Sequence, residues 1–295
     1  MSVCEVTIII PVYNDQLGLN KCLQAIDDQQ GVNLSLVRSV VVDNGSQPHL
    51  VLPKGLKHSA NLLRCETPGS YAARNFGVRR SSGDVLAFID ADCWPHENWL
   101  REGLKLLRES EYSAIIGGEV TFEPSGHPTG TELYQLMMGF GQQRCINAMG
   151  FIATANLFVS RKLFDLAGPF DDTLYSCGDR EWAWRAASHG IGVKYAEKSI
   201  VYTYPRRSLK GAIIQARRVA GGRRVLGDNP DIVRKVGVER VHPGGRVTGK
   251  LSKIFRENDM SIWQRCRVFC VAVLIRLAHD AEVLRLRMGG KPERR

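Results

Sequence analysis

The segment Asp84-Val85-Leu86-Ala87-Phe88-Ile89, entered from Ser81-Ser82-Gly83, closes on Asp90-Ala91-Asp92. An unbroken run of β-formers bounded by turn residues reads as a buried strand inside a sheet. Such a strand does not end on two carboxylates unless something satisfies them, because an unpaired buried charge is costly. Two carboxylates one residue apart can hold a hard divalent cation against a phosphate. The carboxyl ends of strands are where open α/β sheets bind ligands.

The surrounding chain alternates strand and helix. Val6–Ile10 reads as a buried strand stopped by Pro11, and Val37–Val42 and Leu62–Cys65 as further strands. Leu17–Gln29, Tyr71–Arg80 and about Pro95–Arg108 have helical spacing. Alternation of this kind implies an α/β fold: a mostly parallel, twisted, Rossmann-like sheet flanked by helices, with right-handed crossovers. Beyond Ser110 the rhythm loosens. Strands are expected at Ala114–Phe122 and Gly192–Tyr202, an extended segment at Phe151–Ser160, and helices at Thr131–Met138 and Gly178–His189. Leu209–Val225 and Ile262–Met288 read as helices of a C-terminal helical extension, separated by a loop-like stretch over Gly227–Gly249. The expected division is therefore a domain over 1–205 and a basic helical extension over 206–295.

Charge follows the same division. Residues 206–295 hold 22 Lys and Arg against 8 Asp and Glu, in a chain whose net charge is +10. A basic segment suits an anionic membrane, a nucleic acid or a polyanionic substrate. It lacks interleaved aromatics beyond Trp263 and Phe269 and carries no nucleic-acid motif, so no nucleic-acid partner is expected. Arginines beside apolar stripes leave two readings: helices closing the acceptor side of the main domain, or peripheral docking on anionic membrane. No run approaches the roughly 20 apolar residues that span a bilayer, and Met1–Glu5 lacks the basic start of a signal peptide. The eight cysteines form no CxxC and read as reduced thiols, mostly buried, with Cys266 and Cys270 as small core residues on one helix face. A cytoplasmic protein is expected, with possible peripheral attachment to the inner face of the cell membrane.

Five constellations could carry chemistry. Pro11-Val12-Tyr13-Asn14 turns the chain off the sheet, so Tyr13 could stack on a nucleobase; equally, Pro11 only ends a strand. Asp43, past the next strand, could accept from a base or ribose, or form an Asx-turn with Asn44-Gly45. Pro68-Gly69-Ser70 opens a helix whose free N–H groups, with Arg74, suit phosphate, or it is an ordinary helix start. Asp90 and Asp92 could ligate Mg²⁺ or Mn²⁺, or cap a loop before the next helix. Asp179 in Gly178-Asp179-Arg180-Glu181-Trp182 is a helix N-cap or a general base aimed into a cleft. Glu181 points elsewhere, and Trp182 either packs or stacks on a sugar ring.

Taken in order, five stretches resemble the family-2 glycosyltransferases of the GT-A fold. They are Thr7-Ile8-Ile9-Ile10-Pro11-Val12-Tyr13-Asn14, Val41-Val42-Asp43-Asn44-Gly45-Ser46, Ala73-Arg74-Asn75-Phe76-Gly77, Asp84–Asp92, and Gly178-Asp179-Arg180-Glu181 with Arg185. The resemblance covers about residues 5–205. It implies a nucleotide-sugar donor, a divalent metal (Mg²⁺ or Mn²⁺) and inverting transfer to a saccharide or lipid-linked acceptor, as in polysaccharide, glycolipid or cell-envelope glycan synthesis. Carried over, Pro11, Tyr13, Asn14 and Asp43 border the nucleoside, and Arg74 and Asn75 lie toward its phosphates. Asp90 and Asp92 form the metal motif, with Asp92 the direct ligand, and Asp179 is the base. Asn156 falls where the family lines the donor–acceptor cleft, and Glu181 and Trp182 fall on the acceptor side. Two departures stand out: Gly178 where the family often has Glu, and Tyr204-Pro205 where it often has His-Pro. The alternative is a non-catalytic relative that binds a nucleotide-sugar, a membrane or a polyanion. A sugar-1-phosphate nucleotidyltransferase would need a Gly-rich, Arg- and Lys-containing loop where Pro11–Asp15 stands.

Overall fold

The computed structural model describes residues 4–228 and 260–292. The chain divides into two units. The first comprises residues 1–121, 142–173 and 178–203; the second comprises 122–141, 174–177 and 204–295.

The first unit is built on an eight-stranded sheet. In chain order the strands are β1 (Val6–Val12), β2 (Val37–Asp43), β3 (Ser59–Arg64), β4 (Val85–Phe88), β5 (Cys93–Pro95), β6 (Ala114–Phe122), β7 (Leu157–Ser160) and β8 (Gly192–Thr203). Their spatial order is β3-β2-β1-β4-β7-β6-β8-β5. The expected parallel pairing holds for β3-β2-β1-β4. The β4–β7, β7–β6 and β8–β5 pairs are antiparallel, so the sheet is mixed. β1 and β4 are buried along their whole length, as strands covered on both faces must be.

Pro11 does not stop β1. The Ile9 carbonyl faces β4, where it accepts from the Ile89 amide, and the Val12 carbonyl faces β2, where it accepts from the Asn44 amide. Alternation along the strand therefore turns the Pro11 nitrogen toward β4, past the last paired residues Ile9 and Phe88. No ladder bond is lost there, and β1 continues to Val12 against Asp43.

Helices α1 (Gln16–Asp27), α2 (Ser70–Arg79), α3 (Trp99–Glu109), α5 (Gln142–Met149), α6 (Arg161–Ala167) and α7 (Gly178–Ser188) belong to this unit. Pro95 ends the short strand β5 rather than opening α3. α5 and α6 are too short for periodicity to reveal. The Asp27 carboxylate at the end of α1 is buried. It accepts from the Lys57 and His58 amides at 2.9 and 3.0 Å and pairs with His58 Nδ1, while His58 Nε2 lies 2.8 Å from Ser39 Oγ on β2. Burial pushes this carboxyl up, but the His58 side chain and the two amides outweigh it and hold it below the ordinary range. A depressed carboxyl stabilises the fold above its unfolded pKa, and the gain is lost as pH falls through the folded value. Asp27→Ala should therefore cost about 3 kcal/mol by urea denaturation at pH 7, because it strands His58 and two buried amides. That cost should shrink in acid.

The second unit holds α4 (Gly130–Met138), α8 (Leu209–Asp228) and α9 (Ile262–Arg287). Capping boxes start α4 (Thr129 with Glu132) and α9 (Ser261 with Gln264). Val268 of α9 is fully buried against Met137 of α4. The buried Glu282 of α9 accepts from Arg217 of α8 at 3.1 Å and from Arg285 at 2.6 and 3.0 Å. Cys266 and Cys270, expected in a core, are exposed. All cysteines among the described residues are free. Beyond Asp228, the loop expected over Gly227–Gly249 lies outside the described residues.

Candidate active site

The carboxyl edge of the parallel strands is laced together by side chains of the loops that leave it. Asn14, in the left-handed region at φ 53°, donates its amide to Ser46 Oγ at 2.8 Å and accepts from the Gln47 amide at 2.8 Å. Asn44 donates to the Cys65 and Thr67 carbonyls and accepts from the Gly69 amide at 2.7 Å. The loops after β1, β2 and β3 are thus pinned in sequence. Asparagine suits both places, since it tolerates left-handed backbone and bonds to nearby main chain. Tyr13 stands 43% exposed beside Asn14. Asp43 accepts from the Ser46 amide at 2.8 Å, three residues on rather than the two of the expected Asx-turn, and also binds Arg64 at 2.9 Å. It is buried and fixed in orientation.

The chemistry-bearing residues gather across β4, α2 and α7. Arg74 on α2 is buried, lies 5.6 Å from the Tyr71 ring centroid and donates to Asp90 Oδ1 at the end of β4. No hydrogen-bond acceptor among the described residues reaches Arg74 Nε. The Asp90 side chain is 36% exposed and Asp92 is exposed. Asp92 accepts from Cys93 Sγ, and its carbonyl accepts from Thr203 Oγ1 at 3.2 Å. Asp90 and Asp92 also act on the buried thiols beneath them: burial first, then both carboxylates, push Cys22 and Cys93 far up. These cysteines are packing groups rather than nucleophiles.

Asp179 lies in the first turn of α7 and is part-buried. Its Oδ1 accepts from the Arg180 amide at 2.9 Å and lies 3.5 Å from Tyr71 Oη, which itself accepts from the Gly178 amide at 2.9 Å. Burial pushes its carboxyl above the ordinary range, opposed by Arg74 and the Arg180 amide and assisted by Asp90. The charges of Arg74 and Asp90 therefore both reach Asp179, so the two acidic motifs share one electrostatic neighbourhood. A carboxylate raised toward neutrality beside a cation–carboxylate pair can take a proton from a hydroxyl.

Besides Asn14, whose side chain holds the Gln47 amide, four side chains expected at the site are spent on structure. Asn75 is buried and brackets Phe170, donating to its carbonyl at 2.8 Å and accepting from its amide at 2.9 Å. Asn156 is fully buried, donates to the Glu119 and Ser199 carbonyls and accepts from Trp99 Nε1, each at 2.8 Å. Its amide cross-links β6, β8 and α3 instead of lining a cleft. Trp182 has no exposed surface, donates to the Gly168 carbonyl at 2.8 Å and packs on Phe164 and Phe170. Glu181 is buried in a two-pronged pair with Arg185 at 2.8 and 2.9 Å, and Arg185 binds the Pro169 carbonyl. In each case a polar residue at helical or loop spacing carries no sign of whether it faces a cleft or a neighbouring backbone.

The Glycosyl transferase family 2 model matches residues 7–166, more than half of the chain. The chain belongs to glycosyltransferase family 2. It is 34% identical to the glycosyltransferase AglE of Haloferax volcanii over 74% of this chain and 72% of that one. It is 23% identical to the pre-mycofactocin glycosyltransferase of Mycobacterium tuberculosis over 70% of this chain and 44% of that one. Solved structures share the fold. A mannosyltransferase from Pyrobaculum calidifontis, in complex with GDP-Man and Mn²⁺, has a TM-score of 0.59 at 16% identity, covering 95% of this chain and 87% of that one. S. aureus TarS 1-349, in complex with UDP-GlcNAc, has a TM-score of 0.54 at 14% identity, covering 97% and 92%.

Tyr71 is the residue that the motifs alone leave without a role. It shares a helix face with Arg74, three residues on, and that spacing was the available signal. Its ring also explains the departure at Gly178, where a Cβ would lie 2.6 Å from Tyr71 Cε2. A glutamate, frequent there in the family, does not fit beside this tyrosine. Tyr71→Phe should leave the buried Gly178 amide unpaired, costing about 1–3 kcal/mol in urea denaturation. It should also slow transfer more than it weakens donor binding. Unchanged stability and kinetics would remove Tyr71 from the account.

Proposed function

We propose that this glycosyltransferase moves a sugar from a nucleoside-diphosphate donor to an acceptor hydroxyl with inversion, Asp179 serving as the base. The observation that carries the reading is Asp179 itself: part-buried, pushed toward neutrality, oriented by Tyr71 and the Arg180 amide, and within the field of Arg74 and Asp90. Asp179 takes the acceptor proton as the hydroxyl attacks the anomeric carbon from the face opposite the diphosphate. Charge spreads over the sugar ring in an oxocarbenium-like transition state. Arg74 steadies the phosphates, and Tyr13 and Asp43 border the nucleoside.

The donor set fits a hard divalent cation. Asp90 and Asp92 offer carboxylate oxygens one residue apart, both reached by solvent. That pattern suits Mg²⁺ or Mn²⁺, which take one or two carboxylates and complete their shell with phosphate and water. Asp92 is the direct ligand, because Arg74 engages Asp90; bound there, the ion would neutralise the departing diphosphate. The GDP-Man and Mn²⁺ in one fold neighbour and the UDP-GlcNAc in another support this donor class. The acceptor is a saccharide or a lipid-linked sugar of glycan synthesis. No helix among the described residues is long and apolar enough to cross a membrane, and action at the inner face of the cell membrane belongs to the same proposal.

A panel of GDP- and UDP-sugars with Mn²⁺ tests it by thermal shift. A true donor at a hundred times its Kd stabilises the fold by about 2.7 kcal/mol, and nucleoside diphosphate should then appear when acceptor is added. No stabilisation by any nucleotide would sink the reading, and stabilisation without release of nucleoside diphosphate would favour a non-catalytic relative.

A further inference from the structure

Helix α9 has two apolar faces, and among the described residues only one of them is covered. Val268 and Leu286 are buried, and Val268 packs against Met137 of α4. At 100° per residue, Trp263, Cys270, Leu274, Leu277, Ala281, Leu284 and Met288 fall on the opposite side. All seven are exposed, Trp263 at 81%, Leu277 at 60% and Met288 at 74%. The stripe runs the length of the helix, roughly 38 Å. A surface helix needs one apolar stripe to hold it to its core; the second stripe is left exposed among the described residues.

The flanks say what covers it. Arg267 lies along one edge of the stripe, and Arg276 and Arg287 lie beyond Asp280 on the other side, while Arg285 turns to the buried Glu282. The acids of the helix are Asp280, paired with Arg276, and Glu282, buried between Arg217 and Arg285. A second copy docked on this stripe would set arginine rows facing each other, in a segment carrying 22 cations against 8 anions. An anionic bilayer meets both features at once: acyl chains for the stripe, phosphate headgroups for the arginines, with Trp263 at the boundary. We propose that the outward face of α9 lies in the interface of an anionic membrane and docks the enzyme there without spanning it. The inference stands apart from the chemistry of Asp179, since it uses no residue of that site.

Co-sedimentation of the full chain with vesicles of phosphatidylcholine, alone or with phosphatidylglycerol, tests it. Binding should need the anionic lipid and fall steeply in high salt. Leu277→Gln and Leu284→Gln should each weaken partitioning by about tenfold, the scale of one buried leucine. Both sites are solvent-exposed, so the melting temperature should not change. Blue-shifted emission on adding vesicles, lost in Trp263→Phe, should place that indole in the interface. Equal binding to neutral vesicles would overturn the proposal. So would binding unaffected by either leucine change, or a dimer in sedimentation velocity that Leu277→Gln dissolves, which would assign the stripe to a second copy.

Discussion

Asp179→Asn should reduce turnover by roughly 10²–10⁴-fold, the usual contribution of a general base, while making the folded protein more stable at pH 7. The two effects share one cause. Burial raises the Asp179 carboxyl above its ordinary range despite the attraction of Arg74. A raised carboxyl penalises folding once pH exceeds its unfolded pKa; the penalty grows until pH passes the folded value and then stays constant. Asparagine keeps an acceptor for the Arg180 amide and removes the desolvated charge. The melting temperature of Asp179→Asn should therefore exceed that of the parent at pH 7, and the difference should vanish near about pH 3, below the ordinary carboxylate range. A site that sacrifices stability for chemistry gives this pattern. A structural N-cap would give the opposite sign, since losing a charged cap at a helix start costs stability.

Arg74→Met and Asp90→Ala should move the Asp179 titration in opposite directions. Arg74 is the foremost influence holding that carboxyl down, and Asp90 a like charge pushing it up. Arg74→Met removes the cation and leaves two carboxylates facing each other, so the Asp179 pKa rises further. Asp90→Ala leaves the Arg74 charge to Asp179 alone, so the pKa falls. Carboxyl-carbon NMR titration of donor-free, metal-free protein reads both shifts directly. Transfer should drop by roughly 10²-fold or more in each variant, as when one preorganised charge is lost from a transition-state clamp. Asp90→Ala should also cost about 3 kcal/mol of stability, because it strands the buried Arg74 guanidinium. Shifts of the same sign in both variants would mean that the three groups do not share one field.

Legibility in the sequence followed the kind of signal. Buried strands ending in Asp43 and Asp90 announced the sheet and its binding edge, because apolar runs and carboxylates are local features. The antiparallel half of the sheet was hidden, since Leu157–Ser160 looks the same whichever neighbour it pairs with. Tyr13, Asp43, Arg74, Asp90, Asp92 and Asp179 lie at or beside the edge that the motifs indicated. Asn75, Asn156, Glu181 and Trp182 turned inward, because an amide that brackets a distant backbone leaves no trace in spacing. Tyr71 and Asn44 gained roles only through partners remote in sequence. Cys266 and Cys270 were misplaced for a related reason: helical spacing identifies a face but does not say whether anything covers it.

The most direct test of the account separates holding the donor from activating the acceptor. Calorimetric titration of UDP or GDP with Mn²⁺ into Asp92→Ala and Asp179→Asn, side by side, makes that separation. The account predicts that Asp92→Ala loses metal-dependent nucleotide binding, while Asp179→Asn binds like the parent protein and fails to transfer. Equal loss of binding in both variants, or full transfer by Asp179→Asn, would contradict it.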